Sequence, residues 1–314
     1  MQLHNPLHDR RRFLRLAVSF STGALLAGCG SDDGEAGAAL IAGPLAVAAV
    51  PAGEPAVDAS PPHPLNLALT LSYIGGQYHA VAAHGMSLAA GLTAGTGRIG
   101  AAIGGRRVAF ADPMIAAFAE ELAEEKALQV ATLRNFIGSA APAQPPLDLS
   151  DAATGPFSLA AQRAGIVAAE QAFDPYANDD AFLLGALLID YAGAATFRTL
   201  LLAGADETIE ALAATQLAEA IYHGGLIRAL LDARASADPA IGAALARMTA
   251  MLATLDGSDA GIQRLSANGT GVNLLDAENR PIPFTRSLTQ VLSTLYLSHG
   301  NAGGFLPKGA NGIG

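Results

Sequence analysis

The sequence predicts an all-α protein, and its composition is the first reason. Alanine and leucine dominate, aromatic residues make up 5% of the chain, tryptophan is absent, and runs of β-branched residues are scarce, which favours packed helices over sheets. With 51% hydrophobic and 15% charged residues, the 314-residue chain can bury a sizeable core. The formal net charge of −10 argues against a nucleic-acid partner, because nucleic-acid binders carry a basic surface that displaces counterions.

Residues 1–28 are predicted to be a signal peptide. The run RRRFLR at 10–15 precedes a moderately apolar stretch that is too short to persist as a membrane-spanning helix. The pattern R-R-x-F-L-R resembles a twin-arginine export signal, whose substrates fold before transport. The run LAGC resembles the lipobox of bacterial lipoproteins, which implies cleavage before Cys29 and lipid on its thiol; the alternative is an incidental cysteine. The residue after Cys29 is Gly30 and not an aspartate, which favours sorting of the lipoprotein to the outer membrane.

Residues 29–63 are predicted to be a flexible tether, because Gly, Ala, Pro and acidic residues fill most of this segment. Cys29 is the only cysteine, so the exported domain can form no internal disulfide and must be stabilised by packing. We therefore expect a protein of the cell envelope that is held to the membrane through lipid on Cys29.

A helical bundle is predicted over 64–255, and an irregular extension with one helix that packs on the bundle is predicted over 256–314. Apolar spacing and helix-end residues place the helices at 65–85, 113–138, 155–173, 178–203, 207–234, 239–255 and 285–298. The first helix has apolar residues three and four apart, although Gly75-Gly76 weakens its middle.

End signals define several of the other helices. Asp112-Pro113 combines an N-cap acid with a proline at the first helical position, and Gly138 ends that second helix. A Pro-rich linker follows, before the shorter third helix. The fourth is nearly long and apolar enough to span a membrane, but Asp190 and Arg198 favour a helix buried in a soluble bundle. Asp206 and Asp238-Pro239 begin the fifth and sixth helices.

Five segments together resemble the ferritin-like, desiccation-associated protein family. They are LNLALTLSYIGGQYHAVAAHG, ELAEEKALQVATLRNFIG, FDPYANDDAFLLGALLIDYAGAATF, AIYHGGLIRALL and FTRSLTQVLSTLYLSHGNAGGFLPKGANG. The resemblance extends from about residue 65 to residue 312, and FDPYAN and GGFLPKGANG are its most specific parts. It implies a four-helix ferritin-like core and an association with desiccation or envelope stress.

The resemblance also implies where metal ligands would lie. The ligand positions of the family fall on Ser72, Gly75, Lys126, Gln129, Asp190, Ala220 and His223. Only Asp190 and His223 keep a side chain that can bind a metal ion, and Glu219, about one turn before His223, is a third candidate. Iron or manganese remains possible at these three residues. We nevertheless expect a degenerate site, no resident cofactor and no catalytic residues.

A cation at one ligand position suggests what replaces the metal. While charged, Lys126 has no lone pair and repels a divalent ion. We hypothesise that its ammonium group takes the place of the metal charge and pairs with Asp190, while Gln129 and His223 complete a hydrogen-bonded network. The alternative is that Lys126 points to solvent beside Glu124 and Glu125.

Three functions are consistent with these residues. The first is a non-catalytic envelope lipoprotein with a role in stress tolerance. The second is a divergent metal-dependent oxidase or peroxide-consuming enzyme that uses Asp190, Glu219 and His223. The third is an envelope binding module that displays the Gly-rich stretch GTGRIGAAIGGRR, predicted to be a loop, and the C-terminal GGFLPKGANG. His79 and His84 are expected at the surface, so neither is counted as a ligand.

Overall fold

The computed structural model describes residues 41–44, 63–204, 206–256 and 286–313. The predicted signal peptide, Cys29, most of the predicted tether and residues 257–285 lie outside these ranges. The helices are α1 (Asn66–His84), α2 (Ala90–Thr93), α3 (Pro113–Ile137), α4 (Pro156–Arg163), α5 (Asp179–Asp190), α6 (Gly193–Leu202), α7 (Glu207–Ala235), α8 (Pro239–Asp256) and α9 (Leu288–Tyr296). The prediction of an all-α fold is confirmed.

Four long helical segments form the bundle, namely α1, α3, α5 together with α6, and α7. Helix α1 packs most extensively on α3, and α5 and α6 pack on α7 and also contact α1. Helix α8 covers α7 and part of α5, and α9 packs on α8 and α6. All residues of α1 from Asn66 to Ala83 are buried, so this helix lies at the centre of the protein.

The glycine pair does not interrupt α1. A Cβ atom at Gly76 would lie 2.9 Å from Leu88 Cδ1, and one at Gly75 would lie 3.6 Å from Lys126 Cδ. The two glycines therefore let neighbouring side chains approach the helix closely, which compensates for their low helix propensity.

Two predicted helices differ from the observed ones. The fourth predicted helix is interrupted at Tyr191 and Ala192, although both residues keep right-handed helical backbone angles. The third was predicted to reach residue 173 but ends at Arg163, because Gly165 adopts a left-handed conformation that stops the helix. Helices α5 and α6 together are long and apolar enough to cross a membrane by length and composition. However, 89% of their most apolar window is buried in the protein, as expected for a core segment.

The Gly-rich loop lies against the Pro-rich segment that follows α3. Strand β3 (Ala102–Ile103) pairs in parallel with β4 (Leu147–Asp148). A Cβ atom at Gly100 would lie 2.3 Å from the Pro146 backbone nitrogen, so this contact excludes any larger residue. Elsewhere β1 (Ile41–Pro44), which falls within the predicted tether, pairs antiparallel with β2 (Met86–Leu88).

The C-terminal segment packs on the rest of the protein through buried side chains and hydrogen bonds. Phe305 and Leu306 are buried in the core. The Asn311 side-chain amide donates to the carbonyl oxygens of Arg98, in the Gly-rich loop, and Ala143, in the Pro-rich segment, at 2.6 and 2.9 Å. The segment predicted as a possible binding surface therefore contributes much of its side-chain area to the protein interior.

Candidate functional site

Asp190, the last residue of α5, lies at the centre of a buried charged cluster. Its Oδ1 atom forms an ion pair with Lys126 Nζ of α3, and its Oδ2 atom lies 2.9 Å from His79 Nε2 of α1. The exposed fractions of the three side chains are 5%, 8% and 0%. Three helices therefore each contribute one polar side chain to a single desolvated contact.

The environment of this cluster determines its charges. Burial alone would raise the pKa of Asp190, but Lys126 and His79 outweigh it and hold the pKa well below its usual range. Burial lowers the pKa of His79, against the opposing effect of Asp190. At neutral pH the carboxylate is charged and the imidazole is neutral, so His79 Nε2 donates its proton to Asp190. The buried His79 Nδ1 has no hydrogen-bond partner among the described residues.

The expectation that His79 lies at the surface is wrong. All faces of α1 are covered in the bundle, and the His79 ring makes T-shaped contacts with the rings of Tyr78 and Phe182. The sequence signal for this burial was the apolar character of α1 on every side, which indicates a central helix. His84, at the C-terminal end of the same helix, is partly exposed.

A chain of amide hydrogen bonds runs beside the charged cluster. Ser72 Oγ lies 3.0 Å from Gln129 Oε1, and Gln129 Nε2 donates to Gln216 Oε1. Gln216 Nε2 then donates to Glu219 Oε2 at 2.7 Å. This series of hydrogen bonds connects α1 to α3 and α3 to α7, and it ends on the Glu219 carboxylate. Gln129 is therefore joined to Glu219 through Gln216, and not directly to Asp190.

His223 and Glu219 occupy the α7 side of the site. His223 Nε2 lies 2.8 Å from Glu125 Oε2 of α3, and its Nδ1 atom is buried with no hydrogen-bond partner among the described residues. Burial, followed by the nearby Glu125 carboxylate, raises the pKa of Glu219 from 4.5 to about 7, although Lys126 and Gln216 act in the opposite direction. The hypothesised contact of His223 with the Lys126–Asp190 pair is thus replaced by a contact with Glu125.

A cavity of about 10 Å³ lies next to the Lys126–Asp190 pair and has room for about one water molecule. Its lining includes Gly75, Lys126, Gln129, Asp190 and Ala220, five of the positions at which the sequence resemblance implies metal ligands. The Lys126 side chain also occupies the space beside Gly75, since a Cβ there would meet Lys126 Cδ at 3.6 Å. The fold thus brings these five residues to one place.

The donors at this place do not fit a pair of metal ions. Ser72, Gly75 and Ala220 supply no carboxylate or imidazole, and Lys126 supplies a positive charge where two cations would have to bind. Within the described ranges, no group of three His, Cys, Asp or Glu side chains is arranged to hold a metal ion.

The bundle and its central polar site define the class of protein. Polar side chains of α1, α3, α5 and α7 meet in one buried region of the bundle, which is the layout of ferritin-like bundles. Residues 63–233, more than half of the chain, match the family model described as "Ferritin-like domain", and the chain belongs to that family. A search of curated proteins and a search of solved structures each found no match.

Proposed function

We propose that this chain is an exported, lipid-anchored protein of the desiccation-associated ferritin-like family, in which an ion-pair network stands where a dimetal centre would be. Its role is a non-catalytic one in envelope stress tolerance. The observation that carries the proposal is the buried contact of Lys126 with Asp190, at two of the ligand positions. A fixed ammonium group supplies positive charge to the carboxylate without an exchangeable ion.

The enzyme alternative receives less support from the geometry. A metal-dependent oxidase or peroxide-consuming enzyme would need Asp190, Glu219 and His223 to bind one or two ions together. Asp190 instead contacts Lys126 and His79, and His223 contacts Glu125. The binding-module alternative is weakened because Phe305, Leu306 and Asn311 of the C-terminal segment are buried.

The metal content of the purified protein tests the proposal directly. We expect the Cys29→Ser chain, purified from cells grown with added iron and manganese, to contain far less than one equivalent of either metal. A chelator should leave its melting temperature unchanged. A matched control with Lys126→Glu and Gln129→His restores the Glu-x-x-His pattern of the second helix and shows whether metal loading is detectable. One or two equivalents in the parent chain, lost together with stability on chelation, would contradict the proposal.

The anchor is supported by the sequence, and fractionation tests it separately. The run LAGC places Cys29 at the end of the apolar stretch, which is the position of a lipidated cysteine in the lipobox it resembles. We expect the full chain to sediment with membranes and the Cys29→Ser chain to move to the soluble fraction. Lysine in place of Arg10 and Arg11 should retain the precursor in the cytoplasm, as expected for a twin-arginine signal. Membrane association that is unchanged in Cys29→Ser would exclude the lipid anchor.

A further inference from the structure

One face of helix α7 is exposed and carries no charge over most of its length. The exposed residues between Glu210 and Asp232 are Ala211, Ala214, Thr215, Ala218, Ile221, Tyr222, Gly225 and Ala229. A solvated helix face normally carries charged and polar residues. Helix α3 follows that pattern, because its exposed positions include Glu120, Glu121 and Glu124.

The middle of this face combines a protruding side chain with a depression. Ile221 is 59% exposed, and Tyr222 beside it is 54% exposed. One turn later, Cβ atoms built at Gly224 and Gly225 would find no atom within 4 Å among the described residues. Glycine lowers the stability of a helix interior, and packing within the described part of the chain gives no reason for these two glycines. A close approach by another helix would give one.

We propose that α7 pairs with α7 of a second copy of this chain, antiparallel about a two-fold axis near His223. Residue 221 is the midpoint of α7, which spans Glu207–Ala235. A two-fold axis at position 223 sets Ile221 of one copy opposite Gly225 of the other, so the same protrusion and depression fit twice. An interface made of one patch on both subunits is what two-fold symmetry requires.

Charge also favours the antiparallel direction. The first turn of α7 carries Glu207 and Glu210, and its last turn carries Arg234. Antiparallel pairing keeps the two acidic first turns apart and opposes the two helix dipoles, while Arg234 stays paired with Asp180 of its own chain. A parallel pair would place acidic turns together. The face between these ends has no exposed charge to desolvate.

The expected association is weak. The face from Ala211 to Ala229 is about 27 Å long at the α-helical rise, and a helix is only about 10 to 12 Å wide. One helix from each copy therefore buries less than a standard-sized interface, so the dimer should form with a concentration dependence in the micromolar range or above. The inference does not depend on the lipid anchor or on the ion-pair network.

Sedimentation velocity of the full-length Cys29→Ser chain, from about 1 to about 300 µM, tests the pairing without lipid-driven assembly. We expect a shift from monomer to dimer over this range. Ile221→Ser should raise the dissociation constant about tenfold or more, because it removes the central side chain of the interface. Leu202→Ser, which alters a 64% exposed leucine at the end of α6, is the matched control and should leave association unchanged.

The variant Gly225→Ala tests association of the two copies independently of the stability of the monomer. Apart from its own helix backbone, the new methyl group meets no atom of the described residues within 4 Å, and alanine favours the helix, so the melting temperature of the monomer should stay the same or rise. In the dimer the methyl group fills the depression that receives Ile221, so association should weaken. A wild-type chain that stays monomeric throughout, or equal association in Gly225→Ala and wild type, would overturn the proposal. Equal loss of association in Leu202→Ser and Ile221→Ser would overturn it as well.

Discussion

Lys126→Met should lower the free energy of unfolding at pH 7 by about 3 to 5 kcal/mol. Methionine has a similar volume, so the loss comes from leaving the Asp190 carboxylate buried with only the neutral His79 beside it. Denaturant unfolding, followed by circular dichroism, measures the change. A melting temperature and unfolding free energy equal to those of the wild type would mean that the ion pair stabilises nothing.

The double variant Lys126→Met, Asp190→Leu is the control for this prediction. It removes both charges together, and a well-packed apolar pair often matches or exceeds a buried ion pair in stability. We expect it to recover most of the stability that Lys126→Met loses. A double variant as unstable as the single one would assign the loss to packing around the Lys126 methylene groups, which lie close to Gly75.

Lowering the pH should reduce the difference in the free energy of unfolding between the wild type and Lys126→Met. The pKa of Asp190 is held well below its ordinary value of 3.8 by Lys126 and His79, which together outweigh the effect of burial. A carboxyl group with a lowered folded-state pKa stabilises the fold above its unfolded-state pKa, and that contribution is lost as the pH falls below it. The ion pair should therefore contribute fully at pH 7 and progressively less below about pH 4.

The second large effect is expected at Glu219, with the opposite dependence on pH. Burial, and then Glu125, raises its pKa from 4.5 to about 7, so its contribution to stability is complete below pH 4.5 and is lost as the pH rises through 7. The ionised side chain faces Glu125 and Lys126 of α3 and accepts from Gln216 of its own helix. Above pH 8 its charge should cost on the order of 3 kcal/mol.

Glu219→Gln isolates this contribution. The glutamine cannot ionise, so we expect the variant to equal or exceed the wild type in stability at pH 8 and to gain little at pH 5. The variant must be compared with the wild type at each pH, because the titration of His79 changes the stability of both chains in the opposite direction. Its pKa is lowered by burial, so its contribution is lost as the pH falls below 6.5. Glu124→Gln, at an exposed position of α3, is the control. Parallel profiles for Glu219→Gln and wild type between pH 5 and pH 8 would contradict the raised pKa.

Local signals in the sequence were sufficient for most helix boundaries. Asp112 accepts a hydrogen bond from Met114 N and precedes Pro113, and Asp206 accepts from Thr208 N, as their residue types predict. These contacts involve neighbours in the chain, so they can be inferred without knowledge of the rest of the fold. The end of α4 was missed because a glycine inside a helical pattern has no fixed conformation until its surroundings select one.

The charged cluster shows what the sequence could not decide alone. Lys126 lies in a run of acidic residues, and its spacing fits an outer face as well as an inner one. The structure places it inside, because α1 packs on that face of α3 and Asp190, at the end of α5, reaches the Lys126 ammonium group. His79 was predicted to be exposed, and nothing local marks it as a partner for a residue 111 positions away.

By itself, the sequence determined the helical class and the order of the long helices. These features depend on composition, on apolar spacing and on residue identity at single positions. Only the tertiary structure decided that Lys126 and His79 contact one carboxylate, that His223 pairs with Glu125, and that Gln216 links Gln129 to Glu219. Partners on different helices are selected by how the helices pack, and packing depends on every buried side chain at once.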